Sequence, residues 1–328
     1  MKKLWIGAGL FFATITAQAQ FYASVTGGYA LGVPSTKIGE ESLNGVEKVN
    51  FGTFGEGLNT QIRLGYFFNK TWGIDLGVGY LHGADQTVKR EVADKTRTLP
   101  VLGTLNSTVD GKVIGRGRAF GASLSVIYNF TENFYGRFGF LTKIGGKTEV
   151  VASSTTTINS DIPVNATTRA IFNNLGISVP DIGTDYTIKA GSTIETSYTE
   201  DYKGKFPFGT IAALGYKYNI SSNLSTFIEL EYMNISVKRD YSEMKNFEQN
   251  LVANISVNGT NVTRTIPLKN LEGFTDGRYN DVLRDQTYYK RTTYENELPT
   301  DNTDGSRKLT EKASYSSLGF NIGVTYMF

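Results

Sequence analysis

The stretch SLGFNIGVTYMF, residues 317–328, alternates residue by residue. Leu318, Phe320, Ile322, Val324, Tyr326 and Phe328 are large and apolar. Gly319, Asn321, Gly323, Thr325 and Met327 stand between them. Successive side chains of a β-strand point to opposite faces, so this spacing predicts a strand with one apolar face. Such a face must be covered by a core or by lipid.

The same period recurs in seven earlier segments, Phe21–Leu31, Leu58–Asn69, Trp72–His82, Ala119–Phe130, Phe134–Gly145, Phe206–Asn219 and Leu224–Asn234. Each is long enough to cross a bilayer at a barrel tilt, which takes about 9 to 11 residues. The complementary face carries Arg63, Asp75, Arg137, Lys143, Lys217, Glu229 and Glu231, with most of the strand glycines. A soluble sandwich turns its apolar face inward, whereas a membrane barrel turns it toward lipid and keeps polar groups in the lumen. Alternation alone does not separate the two. The glycines favour the barrel, because a narrow lumen needs small residues opposite large ones.

The connections alternate in length. Short links fall at Asn69–Thr71, Thr131–Asn133 and Ile220–Asn223. Long gaps fall at 32–57, 83–117, 146–205 and 239–312, about 26, 35, 60 and 74 residues. Long loops on one side and short turns on the other is the outer-membrane pattern, and soluble domains seldom carry such loops. Aromatics flank the short links: Tyr66, Phe68, Trp72, Tyr128, Phe130, Phe134, Tyr216 and Tyr218. They predict a girdle at one membrane interface, which Tyr326 and Phe328 complete. Six of the seven prolines are expected in the long loops, at 34, 100, 163, 180, 267 and 299; Pro207 opens a strand.

The N-terminus reads as a secretory signal over residues 1–19, with Lys2 and Lys3, an apolar run Leu4–Thr16 and the small-x-small site Ala17-Gln18-Ala19. Residues 20–328 are then one barrel domain. The whole chain has 33 Lys+Arg and 31 Asp+Glu, and loss of Lys2 and Lys3 balances them. This neutrality offers no basis for nucleic-acid binding. The absence of cysteine excludes disulfides, thiolate metal sites and a lipid-modified N-terminal cysteine.

The ending FNIGVTYMF resembles the C-terminal β-signal of bacterial outer-membrane proteins. The residues that carry this are Phe320, Ile322, Val324, Tyr326 and Phe328. The strands together resemble the small eight-stranded outer-membrane barrels of the OmpA, OmpX and OmpW type, and the AQAQ stretch resembles their Bacteroidetes versions. The resemblance implies an all-β fold, an eight-stranded antiparallel up-and-down transmembrane β-barrel with long extracellular loops. It implies a Gram-negative outer membrane, periplasmic termini, and the barrel-assembly machinery, outer-membrane lipid and lipopolysaccharide as partners. The loops match no known pattern, and no peptidoglycan-binding domain follows. Residues 250–268 read as a hairpin around Asn258-Gly259 that extends above the membrane or adds strands to the barrel.

Three functions stay open: a surface anchor whose loops bind an unknown extracellular ligand, a small-solute channel, and a barrel enzyme using His82, the one histidine. His82 needs a Ser or carboxylate within about 3 Å to act as a base, and no enzyme motif surrounds it, so a non-enzyme is expected. Arg63, Asp75, Arg137, Lys217, Glu229 and Glu231 are expected to form a lumen charge network, as a salt-bridged plug or as the wall of a solute path. Asp301–Gly305 departs from the calcium-loop spacing and reads as a turn. No metal or cofactor is expected.

Overall fold

The computed structural model describes residues 20–33, 36–99, 103–174, 179, 181–281 and 284–328. The signal segment expected over 1–19 and prolines 34, 100 and 180 lie outside the described residues. The chain is nearly all β, with one short helix among the described residues. No described helix is long and apolar enough to cross a membrane.

One set of strands pairs in a closed cycle, numbered here in chain order. It comprises β1 (Gln20–Gly32), β2 (Gly57–Phe67), β3 (Trp72–Gly83), β4 (Gly103–Asn129), β5 (Phe134–Ile158), β6 (Gly209–Asn219), β7 (Leu224–Asn234) and β8 (Ser317–Met327). Each pairs antiparallel with the next in sequence. β8 then returns to β1, from Tyr22↔Met327 to Gly32↔Ser317. Closure leaves no free edge in this part of the sheet.

Three tight turns and both ends of the cycle share one rim, and the turns use one geometry. The N–H of Phe68, Phe130 and Ile220 donates to the carbonyl of Trp72, Phe134 and Leu224, each at 2.9 Å. A polar side chain inside each turn accepts from the restarting strand. Asn69 Oδ1 takes the Trp72 N–H at 2.8 Å, Thr131 Oγ1 that of Phe134 at 2.9 Å, and Ser221 Oγ that of Leu224 at 3.1 Å. This is why the three link sequences look alike: each needs an Asx- or Ser/Thr-type acceptor at the same place.

The far rim differs from the expectation of loops. The alternation starts β4 at Ala119 and ends β5 at Gly145, yet the strands run for 27 and 25 residues. Their extensions pair with Gln86–Leu99 and with Thr193–Gly204. The latter pairs with Ser236–Val257, which hairpins through Asn258 and Gly259, both at positive φ, into Thr260–Asn270. Much of the gaps 83–117, 146–205 and 239–312 is therefore sheet. The hairpin expected at 250–268 is present; the other strands are not marked by apolar alternation, because a strand in water on both faces lacks an apolar face but keeps its backbone hydrogen bonds. Pro163 and Pro267 lie in strands. Pro267 is tolerated at a register shift on a strand paired on one side. β6 begins at Gly209, leaving Pro207 before it, with its carbonyl accepting from Thr142 Oγ1 at 2.6 Å.

The extension has its own core. Ile158, Val164, Phe172, Ile194, Leu251, Ala253, Ile255 and Ile266 pack together, all buried. Helix α1 (Ala166–Asn174) supplies Phe172. A reciprocal cap starts it: Thr168 N donates to Asn165 Oδ1 at 3.0 Å, and Asn165 N to Thr168 Oγ1 at 2.7 Å.

Candidate functional site: the barrel interior

Side chains of β1–β8 are sorted in reverse of a water-soluble protein. Val25, Leu64, Phe138 and Ile322 are about 60% exposed, whereas Glu229, Glu231, Asp75, Arg63 and Arg137 are 1–3% exposed. The charges face the lumen from β2, β3, β5 and β7. Each acquires room from a glycine or alanine across the sheet: Arg63 lies opposite Gly77, Asp75 opposite Gly65, Glu229 opposite Gly215, and Arg137 opposite Ala213.

Glu229 is the hub. Arg63 Nη1 donates to its Oε2 at 2.9 Å and to its Oε1 at 3.2 Å. Arg137 Nη2 donates to Oε1 at 2.9 Å, and Tyr135 OH to Oε2 at 2.9 Å. Arg137 also binds Glu231, which takes a further bond from Gln61 Nε2 at 2.9 Å. Asp75 accepts from Tyr22 OH at 3.2 Å. The Arg63 guanidinium lies over the Phe227 ring, 5.0 Å from its centroid. Pairing and hydrogen bonding of this kind make the buried charges of Glu229 and Glu231 tolerable, whereas Asp75 joins no ion pair among the described residues and its Oδ1 is buried without a hydrogen-bond partner.

The expected network is corrected at two positions: neither Asp75, held by Tyr22 alone, nor Lys217 joins an ion pair among the described residues. Lys217 lies apart from the carboxylates. It stands opposite Phe227, nearer the turns than Glu229, and is half-buried on the wall of a small cavity of about 50 Å³. Alternation places it on the correct face, but the strand rise puts it beyond reach of the carboxylates. Tyr22, Tyr135, Gln61 and Phe227 were not singled out from sequence. All four are on lumen-facing positions, so parity alone was the available signal. Their rings explain three glycines: a Cβ on Gly65, Gly215 or Gly323 would collide with Tyr22, Tyr135 or Phe227.

A second obstruction closes the opposite end. Phe54, Leu81, Ala119, Ile235, Val237, Ala313 and Tyr315 form a buried apolar cluster across the mouth. Phe54 comes from the segment between β1 and β2. It is tied down by its N–H to the Ser314 carbonyl at 2.9 Å and lies 6.1 Å from the Tyr315 ring. Between this cap and the charge cluster lies a cavity of about 90 Å³. Nothing in the sequence periodicity marked Phe54, because it sits outside a strand.

The aromatic residues near the turns line one rim. Ring centroids are 4.8 Å apart for Phe21–Tyr66, 5.3 Å for Tyr66–Phe68, 4.7 Å for Trp72–Tyr128, 5.4 Å for Phe130–Phe134 and 5.1 Å for Tyr326–Phe328. Tyr216 and Tyr218 are exposed on β6 at the same end. On β8, Phe320, Ile322, Val324 and Tyr326 face outward, and the Phe328 N–H donates to the Phe21 carbonyl at 2.9 Å. His82 is exposed at the other end of β3. Its nearest aromatic is Tyr80, with centroids 6.4 Å apart, and no described side chain hydrogen-bonds to it.

No family model matches the chain, and no curated protein matches it in sequence. Among solved structures it is similar to CarO2 of Acinetobacter baumannii, at 12% identity over 93% of this chain and 98% of that one, with a TM-score of 0.24. It is similar to the outer membrane protein OprG of Pseudomonas aeruginosa, at 14% identity over 95% and 97%, with a TM-score of 0.31. A major outer membrane protein of Thermus thermophilus matches at 13% identity over 94% and 99%, with a TM-score of 0.24. Superposition this loose equates no residue of this chain with a residue of theirs.

Proposed function

We propose that the chain is an outer-membrane protein whose closed cycle is an eight-stranded transmembrane barrel. The barrel serves as an anchor for the folded β extension, displayed outside the cell. The inverted burial carries the membrane part. Soluble monomers rarely expose contiguous apolar patches above a few hundred Å², whereas here exposed Val, Leu, Ile and Phe occur on every strand of the cycle. Periplasmic turns and termini, with an extracellular extension, follow the usual arrangement of such barrels.

The two obstructions favour an anchor over a channel. An ion crossing the lumen would have to displace both the Phe54–Tyr315 packing and a set of desolvated ion pairs. The extension, with its own core, offers the larger surface for an extracellular partner of the binding or adhesion type. Planar-bilayer recording on the purified, refolded full chain tests this reading. Silence is expected, and steady unitary currents would establish the small-solute channel in its place.

A further inference from the structure

The outward surface carries a group of lysines that the fold leaves largely unneutralised. Lys238 and Lys312 are direct cross-strand partners. Lys205 joins them, because its N–H donates to the Lys238 carbonyl at 2.9 Å. All three are exposed. Like charges placed opposite one another destabilise a sheet. The neighbouring acids offer little relief. Glu311 is engaged by Arg239 at 2.6 Å, Asp240 lies 4.0 Å from Lys205, and Glu295, which also feels Lys205, is engaged by Arg307 at 2.8 Å. Among the described residues Lys238 and Lys312 make no ion pair.

The surface beneath them changes character in order. Following the outward positions from β7, exposed Tyr232 gives way to exposed Asn234, Ser236 and Lys238, while Ile235 and Val237 between them are buried. Beside this column Phe206 and Phe208 project, 75% and 69% exposed. Phe208 packs on Phe140 of the apolar belt, with centroids 5.0 Å apart. Lysines, polar residues and phenylalanines together line an open groove of about 480 Å³. Aromatic rings beside hydroxyl and amide groups, with cations next to them, match an acyl chain, a sugar or glycerol backbone, and a phosphate.

We propose that this groove binds a phosphate-bearing lipid of the surrounding leaflet, with its phosphate on Lys205, Lys238 and Lys312 and its acyl chains along Phe206, Phe208 and Phe140. The proposal rests on the membrane reading above. It commits to a lipid because the lysines sit directly next to side chains that only an apolar chain would cover. A free anion would use the lysines and gain nothing from the phenylalanines.

The test uses the full chain in phosphatidylcholine nanodiscs, with lipid A added and retained lipid read by native mass spectrometry. Lipid A is expected to be retained over phosphatidylcholine. The Lys205→Ser/Lys238→Ser/Lys312→Ser variant is expected to weaken this retention by about a hundredfold, at about fivefold per lysine. The variant should fold at least as well as the parent, since a like-charge pair is removed. Phe206→Ser/Phe208→Ser should also weaken lipid A. Undiminished retention by the lysine variant, equal retention of phosphatidylcholine, or displacement by millimolar inorganic phosphate would overturn the proposal. Failure of the chain to enter nanodiscs at all would instead overturn the membrane reading, so the two failures are distinguishable.

Discussion

Arg137→Ala tests the lumen cluster most directly. Arg137 holds two carboxylates at once, Glu229 at 2.9 Å and Glu231 at shorter range, with side chains at most 1% exposed. Without it, Glu229 keeps Arg63 and Tyr135, but Glu231 keeps only Gln61. Glu231 then joins Asp75 as a buried carboxylate without an ion pair, and three lumen carboxylates share one guanidinium. Removing one partner of a buried pair costs about 3–5 kcal/mol, most of it from the charge left behind. Urea unfolding in phospholipid micelles, followed by Trp72 fluorescence, measures the loss. Adding Glu231→Gln to the variant removes the stranded charge and should restore part of the stability, as a double-mutant cycle would show. A variant that unfolds at the parental midpoint would refute the desolvated cluster. New ion conductance in that variant would mean that the lumen is hydrated.

Three further outcomes are expected. Gly65→Val places a branched side chain into the Tyr22 ring and should cost about 1–3 kcal/mol by overpacking; an unchanged unfolding midpoint would show that the lumen has slack there. In the surface sheet, burial pushes the Glu149 carboxyl up, but the pairs with Lys147 at 3.0 Å and Arg116 at 2.6 Å win and hold it below its usual 4.5. A lowered folded pKa means that the stabilisation is present above about pH 4.5 and is lost as pH falls through the folded value. Protection of the paired-strand amides, taken relative to their intrinsic exchange rates, should therefore fall as the pH drops below about 4.5, and Glu149→Gln should remove that fall. Replacing residues 251–294 with a short linker removes Leu251, Ala253, Ile255 and Ile266 from the surface core but touches none of β1–β8. The heat-sensitive gel mobility of a folded barrel should survive while protease protection of Thr193–Gly204 is lost, and a chain that no longer inserts would show that the extension is needed for assembly.

Residue-by-residue alternation determined a great deal without any partner in view. It is a property of one extended backbone, so Phe320, Ile322 and Val324 fall on one face and Asn321 on the other whatever surrounds them. The glycines and the Asn- and Ser-bearing short links are local in the same sense, since each answers to a turn or to the room a neighbour needs. Which residues meet was decided only by the tertiary structure. Arg63, Arg137 and Glu229 come from strands separated by up to 166 positions, and they converge through the register and shear of the closed cycle, which no single strand encodes. That register brings Tyr22 to Asp75, leaves Lys217 aside, and sets Lys238 against Lys312. Apart from its hairpin at 250–268, the extension was not legible, for a related reason. Its strands are polar on faces that meet water, and their apolar positions find one another only after the chain has folded back from residue 158 to residue 251. Phe54 is the extreme case: a lone aromatic between strands, given its place at the mouth only by the Ser314 carbonyl and the Tyr315 ring that receive it.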